Sequence, residues 1–215
     1  MAISMAERLT IELRHRIITG DLVPGTVVIE PALADEFKVS KTPVREALQR
    51  LSHEHLVQVL PKRGYLVIPM TQADLHEVLE VRLALEPIAA AHLAQQVRSD
   101  EPGSLEALAA LRKYLDHQRA ATTRRGSLQA STAFHRVIAE RSGNSRLTAP
   151  LARALDESTR ALYLLSDEID VKRFIPEVSA HEDMLAAIAS GDPEAAREAA
   201  SRHLARIAEL PIPVS

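Results

Sequence analysis

Beyond Pro69-Met70-Thr71 the chain carries apolar residues at helical spacing and no further strand signal, so this stretch can bury its apolar faces only by packing helix on helix. Six helices are predicted there, at about 72–97, 103–121, 125–141, 145–166, 174–190 and 193–208. Pro102, Gly126, Ser142-Gly143-Asn144, the Ser166–Asp170 stretch and Gly191-Asp192-Pro193 separate them. Before that point the period keeps changing. Leu9, Leu13 and Ile17 mark one amphipathic helix ended by Gly20, and a short helix follows over about Pro31–Phe37. A third begins after Lys38-Val39-Ser40, with Thr42 as N-cap and Pro43 in its first turn. The β-branched runs Val57–Leu60 and Tyr65–Ile68 flank Pro61-Lys62-Arg63-Gly64 and predict a hairpin. The expected fold class is mainly α, with two domains, 1–70 and 71–215, the second a bundle of about six helices.

The absence of cysteine excludes disulfides, thiolate metal sites and cysteine nucleophiles, which leaves nine His with Asp and Glu as metal ligands. No run of about 18 apolar residues and no charged-then-apolar leader is present, so a cytoplasmic protein is expected. The net charge of −3 is unevenly distributed. Residues 1–70 hold nine Lys and Arg against eight Asp and Glu, and the remainder holds seventeen against twenty-one. An excess of one positive charge is too small for a general basic surface, so any DNA binding by the first domain depends on a few placed side chains and on dimerisation.

In the third helix Val44, Leu48 and Leu51 form an apolar stripe, while Lys41, Arg45 and Gln49 lie on another side. Two helices joined by a short turn and followed by a hairpin make a winged helix-turn-helix, which sets the second helix in the DNA major groove and the wing beside it. Arg45 is of a type to grip a guanine edge, Ser40 or Thr42 to bond phosphate, and Lys62 and Arg63 are cationic at the hairpin tip; solvated helix charge is the other reading of Arg45 and Arg50. The segment Val39-Ser40-Lys41-Thr42-Pro43-Val44-Arg45-Glu46-Ala47-Leu48-Gln49-Arg50-Leu51, with Leu56-Val57 and Arg63-Gly64-Tyr65-Leu66-Val67, closely resembles the DNA-reading domain of GntR-family repressors over roughly residues 5–68. The resemblance implies contacts to double-stranded operator DNA at Ser40, Lys41, Thr42, Arg45, Arg50 and Gly64, to which Arg63 on the wing is added. The chain departs from that family at Pro31 and Lys41, where Arg is usual, and at His55, where Gly is usual and a left-handed backbone is expected.

Three His sit within apolar stripes of the second domain: His135 with Leu128 and Ile138, His181 with Val178, Leu185 and Ile188, and His203 with Ala196, Ala200 and Ile207. Each alone reads as a hydrogen-bonded core residue; imidazoles on three facing helices also build metal sites, with zinc or nickel favoured. Residues 71–208 resemble the helical FCD effector domain of FadR-type GntR members, which implies a homodimer controlled by a small carboxylate effector and a divalent metal on His135, His181 and His203. Ser131 stands where the fourth ligand, an Asp, is usual. Arg82 interrupts the apolar stripe Leu75, Val78, Leu79, Leu85 and Ala89, and is read either as an internal partner of Glu86 or as a clamp for the effector carboxylate, with Arg160 and Tyr163 as further effector candidates. The readings carried forward are a ligand-responsive transcription regulator, a constitutive DNA-binding dimer, and a metal-dependent hydrolase.

Overall fold

Ser4 caps the first helix, α1 (Met5–Ile18): its side chain accepts the Glu7 backbone N–H at 3.1 Å, satisfying one of the donors a helix start leaves over. This computed structural model describes residues 3–164 and 175–208, so the end predicted at 166, the start predicted at 174 and the Ser166–Asp170 separator lie outside the described residues. The chain divides into two compact units between Thr71 and Gln72.

In the first unit α1 is followed by β1 (Val27–Val28), α2 (Glu30–Phe37), α3 (Lys41–His53), β2 (Val57–Leu60) and β3 (Gly64–Val67). The expected hairpin is the β2–β3 pair, but the sheet has a third strand: β3 lies between β2 and β1, antiparallel to both, with Val27 opposite Leu66 and Val57 opposite Val67. Gly64 makes that closure possible. Its φ is +116°, and a Cβ there would stand 2.4 Å from the Val28 carbonyl oxygen, so no larger residue fits without moving β1. The N-cap of α3 is Ser40, not Thr42. Pro43 is accordingly the third helical residue, where an N–H would still lack an intrahelical partner, so the ring removes nothing. His55 does take the left-handed backbone, with φ 58°. Leu9, Leu13 and Ile17 of α1 pack with Leu33 of α2, Val44, Ala47, Leu48 and Leu51 of α3, and Val67 of β3 in one core.

Among the described residues the second unit contains α4 (Gln72–Arg98), α5 (Ser104–Ala120), α6 (Arg124–Arg141), α7 (Ser145–Leu164), α8 (Ile175–Ala189) and α9 (Pro193–Ala208), six helices as expected. Helix α4 touches all five others. Its small residues Ala89, Ala90 and Ala94 are fully buried and let the neighbours approach closely, while Leu93, Leu111, Phe134, Ile138, Leu151, Leu155, Met184 and Ile188 fill the core. No helix among the described residues is long and apolar enough to cross a membrane.

Candidate functional site

Every helix of the second unit sends a polar side chain into one buried cluster. Glu86 and Arg82 come from α4, Gln118 from α5, His135 from α6, Ser158 from α7, His181 from α8 and His203 from α9. None of the seven is more than 3% exposed. The three His expected to face a core therefore face the same point within it.

Their Nε2 atoms lie 3.0 Å apart for His135 and His181, 3.1 Å for His135 and His203, and 3.3 Å for His181 and His203. What stands behind two of the rings decides where their protons are. Gln118 Oε1 is 2.7 Å from His181 Nδ1 and accepts its proton. Glu86 Oε1 lies 2.5 Å from His135 Nδ1, bent from a linear hydrogen bond, and a carboxylate at that distance favours a proton on Nδ1. With both protons on Nδ1, the Nε2 atoms of His135 and His181 point bare lone pairs at each other. Nothing in an ordinary packed core accounts for two acceptors aimed together at 3.0 Å. A divalent cation does: imidazoles bind zinc at about 2.0–2.1 Å, and three of them on one tetrahedral or octahedral face stand about 3.0–3.4 Å apart. His135, His181 and His203 fit such an ion, and Glu86 and Gln118 hold two of the rings in the ligating tautomer. Phe134 stacks on His181 with ring centroids 4.7 Å apart and limits its rotation.

Burial lowers the pKa of all three imidazoles, that of His181 and His203 well below the ordinary value, which keeps them neutral as a cation requires. Burial alone would raise the Glu86 carboxyl, but Arg82 and then His135 outweigh it and hold it well below the usual carboxylate range. A pH dependence follows. Below about pH 6.5 the unfolded chain takes up protons that the folded chain refuses, so chelator-treated protein is expected to lose up to about 1.4 kcal/mol per pH unit per imidazole as the pH falls. Urea midpoints between pH 7.5 and 5.5 measure this, and a flat profile would show that the rings accept protons in place.

Arg82 is engaged. Its Nε and Nη2 donate to Glu86 Oε2 at 3.0 and 2.9 Å and its Nη1 donates to Ser158 Oγ at 3.1 Å, which is the internal pair and leaves two of its five N–H groups. The structure does not bring Arg160 or Tyr163 to the triad. Arg160 is buried on α7, where burial lowers its pKa against the opposing pull of Glu157 and Asp74, and Asp74 lies about 18 Å before Glu86 along α4. The Tyr163 hydroxyl donates to the Arg125 carbonyl at 3.3 Å, about 15 Å along α6 from His135. Ser131 is half-buried one turn before His135, and no carboxylate replaces it among the residues grouped with the triad. Gln118 and Ser158 escape the sequence reading. Each stands seven residues after a core leucine, in the stripes Leu111, Leu115, Gln118 and Leu151, Leu155, Ser158, and a polar residue completing an apolar stripe was the available signal.

In the first unit Ser40, Lys41, Thr42, Arg45 and Arg50 are exposed on or beside α3 while Val44, Ala47, Leu48 and Leu51 are buried beneath them. Ser40 makes no side-chain cap to its own helix. Arg63 is exposed in the turn before Gly64. Arg45 is exposed and paired with Glu30.

Comparison with known proteins agrees with this division. Residues 5–67 match the family model "Bacterial regulatory proteins, gntR family" and residues 77–206 match "FCD domain". An "Uncharacterized HTH-type transcriptional regulator in the TAR-I ttuE-ttuC' intergenic region" of Agrobacterium vitis is 36% identical over 129 residues, 59% of this chain and 74% of that protein. A "Probable D-xylose utilization operon transcriptional repressor" of Paenarthrobacter nicotinovorans is 30% identical over 192 residues, 88% of this chain and 80% of that one. Among solved structures, "E. coli McbR/YncC" superposes with a TM-score of 0.84 over 96% of each chain at 24% identity, a likeness of fold.

Proposed function

The chain belongs to the gntR family of bacterial regulatory proteins and carries an FCD domain, and from that premise we propose that it is a dimeric, metal-loaded repressor released from its operator by a small organic acid. It is a DNA-binding transcription regulator and not an enzyme; the hydrolase reading has no counterpart among these relatives. Residues 1–70 read a pseudo-palindromic operator in the cytoplasm through Ser40, Lys41, Thr42, Arg45, Arg50, Arg63 and Gly64, one half-site per protomer. Residues 71–215 dimerise and sense.

The convergence of three neutral imidazoles carries the sensing reading. They suit zinc or nickel better than harder ions, and, lacking a carboxylate at Ser131, they would leave the ion its full double charge. An organic anion is the ligand that balances it, with the two remaining Arg82 N–H groups as further donors. Effector binding then favours one of two arrangements of the dimer, changing the separation of the two readers.

The test is retardation of duplexes selected from random sequence, with metal-loaded protein and a panel of mono-, di- and tricarboxylates. Selected sites should be two-fold symmetric, and one class of acid should change affinity about 5- to 150-fold. The complete burial of the triad favours one competing reading, a constitutive DNA-binding dimer whose helical domain does not sense. Affinity unmoved by every acid would establish that reading instead.

A further inference from the structure

Arg45 is one of three exposed cations of the reading helix, with Lys41 and Arg50, and it is held by the protein itself. Glu30, the first residue of α2, accepts from Arg45 Nε at 2.9 Å and from Nη2 at 2.7 Å. The Glu30 side chain is 17% exposed against 57% for Arg45, so the carboxylate is set back in the fold and the guanidinium projects from it. Behind both, the Tyr65 hydroxyl on β3 donates to Glu30 Oε1 at 3.4 Å, fixing the carboxylate from the sheet side. The hydrogen bond from Arg45, the leading cause, holds the Glu30 carboxyl below its ordinary value, so the pair stays ionic at neutral pH.

Such a pair is poorly made for gripping phosphate. A phosphate contact draws on net positive charge and on released counterions, and a bidentate carboxylate cancels that charge at its source. Base reading draws on direction instead. A guanidinium docked along its Nε–Nη2 edge retains Nη1 and one Nη2 hydrogen as a fork, rigidly aimed, for the two acceptors of a guanine edge.

We propose that Glu30 is a specificity-determining positioning residue: it docks Arg45 by one edge, presents the other to a single base pair, and withholds the guanidinium from the phosphates. The inference rests on the reading above that α3 enters the major groove with Arg45 as a base contact.

The experiment selects duplexes with a randomised core using the full-length protein and its Glu30→Ala, Glu30→Gln and Arg45→Ala variants, then measures preference at each base pair, affinity for unselected duplex, and salt dependence. In Glu30→Ala, preference should fall about fivefold or more at one base pair per half-site and hold elsewhere. Affinity for unselected duplex should rise, and the salt slope should steepen by about 0.9 per protomer as Arg45 turns to phosphate. Glu30→Gln has the same shape and keeps one acceptor, so it should fall between and guards against misfolding of the alanine variant. Unchanged preference in both Glu30 variants overturns the proposal, as does uniform weakening on all duplexes at constant salt slope, which marks a tether between α2 and α3. If Arg45→Ala itself leaves every preference intact, the base-contact reading fails first. If Arg45→Ala loses the position and the Glu30 variants do not, only the positioning role falls.

Discussion

Glu86→Ala is expected to cost about 3–5 kcal/mol of stability in the helical unit, the range for a buried ion pair broken on one side. The variant leaves Arg82, 3% exposed, donating to Ser158 with no opposite charge beside it among the described residues. It also removes the carboxylate behind His135, and a loss of that kind commonly weakens a metal site about 10- to 100-fold. Replacing both partners, as Arg82→Met with Glu86→Leu, should restore most of the stability, because the expense lies in the uncompensated charge and not in the missing attraction. Restoration should not extend to the metal, since Leu cannot hold the His135 proton. Urea unfolding of chelator-treated protein, followed by circular dichroism, checks the first statement; elemental analysis of purified protein checks the second. An alanine variant within about 1 kcal/mol of the parent would mean that water or a rearranged donor reaches Arg82 and that the pair is not buried in the sense described.

His181→Ala should lower bound zinc or nickel from near-stoichiometric to a small fraction. His181 touches both other imidazoles, as each of them does, and also Gln118 and Phe134; its loss leaves two ligands where the donor set had three. The more telling outcome is a difference of size between two conditions. At a free metal concentration about a thousandfold above its Kd the ion stabilises the parent by about 4 kcal/mol, and the variant forfeits that. Without metal the parent must hold lone pairs against one another, so removing one ring should be close to neutral once the cavity left against Phe134 is allowed for. Thermal unfolding with and without chelator separates the two states. If His181→Ala destabilises both equally, and neither protein carries metal, the triad is packing and the sensing scheme loses its centre.

The helices that carry the site could be read from sequence because burial imposes a period on it. His135, His181 and His203 each interrupt an apolar stripe, and a residue on such a stripe has nowhere to point except inward. What the period does not encode is which inward residues meet. Glu86 was visible as the i+4 partner of Arg82, a relation within one helix, whereas its approach to His135 depends on how α4 crosses α6. Gln118 and Ser158 are hidden for the same reason, as is the meeting of Tyr163 with the start of α6. In the first unit β1 escaped notice because two residues are too few to alternate. The sequence leaves the start of α3 two residues wide, because Ser40 and Thr42 are both good N-cap types and Pro43 is tolerated anywhere in a first turn. The Glu30–Arg45 pair spans fifteen residues and two helices, beyond any local rule.

The order of the six contributing helices also sets a schedule. The reader unit is complete once Thr71 has been made, whereas the imidazole cluster waits for His203 in the last helix. At synthesis rates of about 5–20 residues per second, that interval is roughly 7–26 s. During it each nascent chain has a finished reader unit and an open cluster, so under the proposed sensing role control by an effector begins only when α9 brings His203 into place.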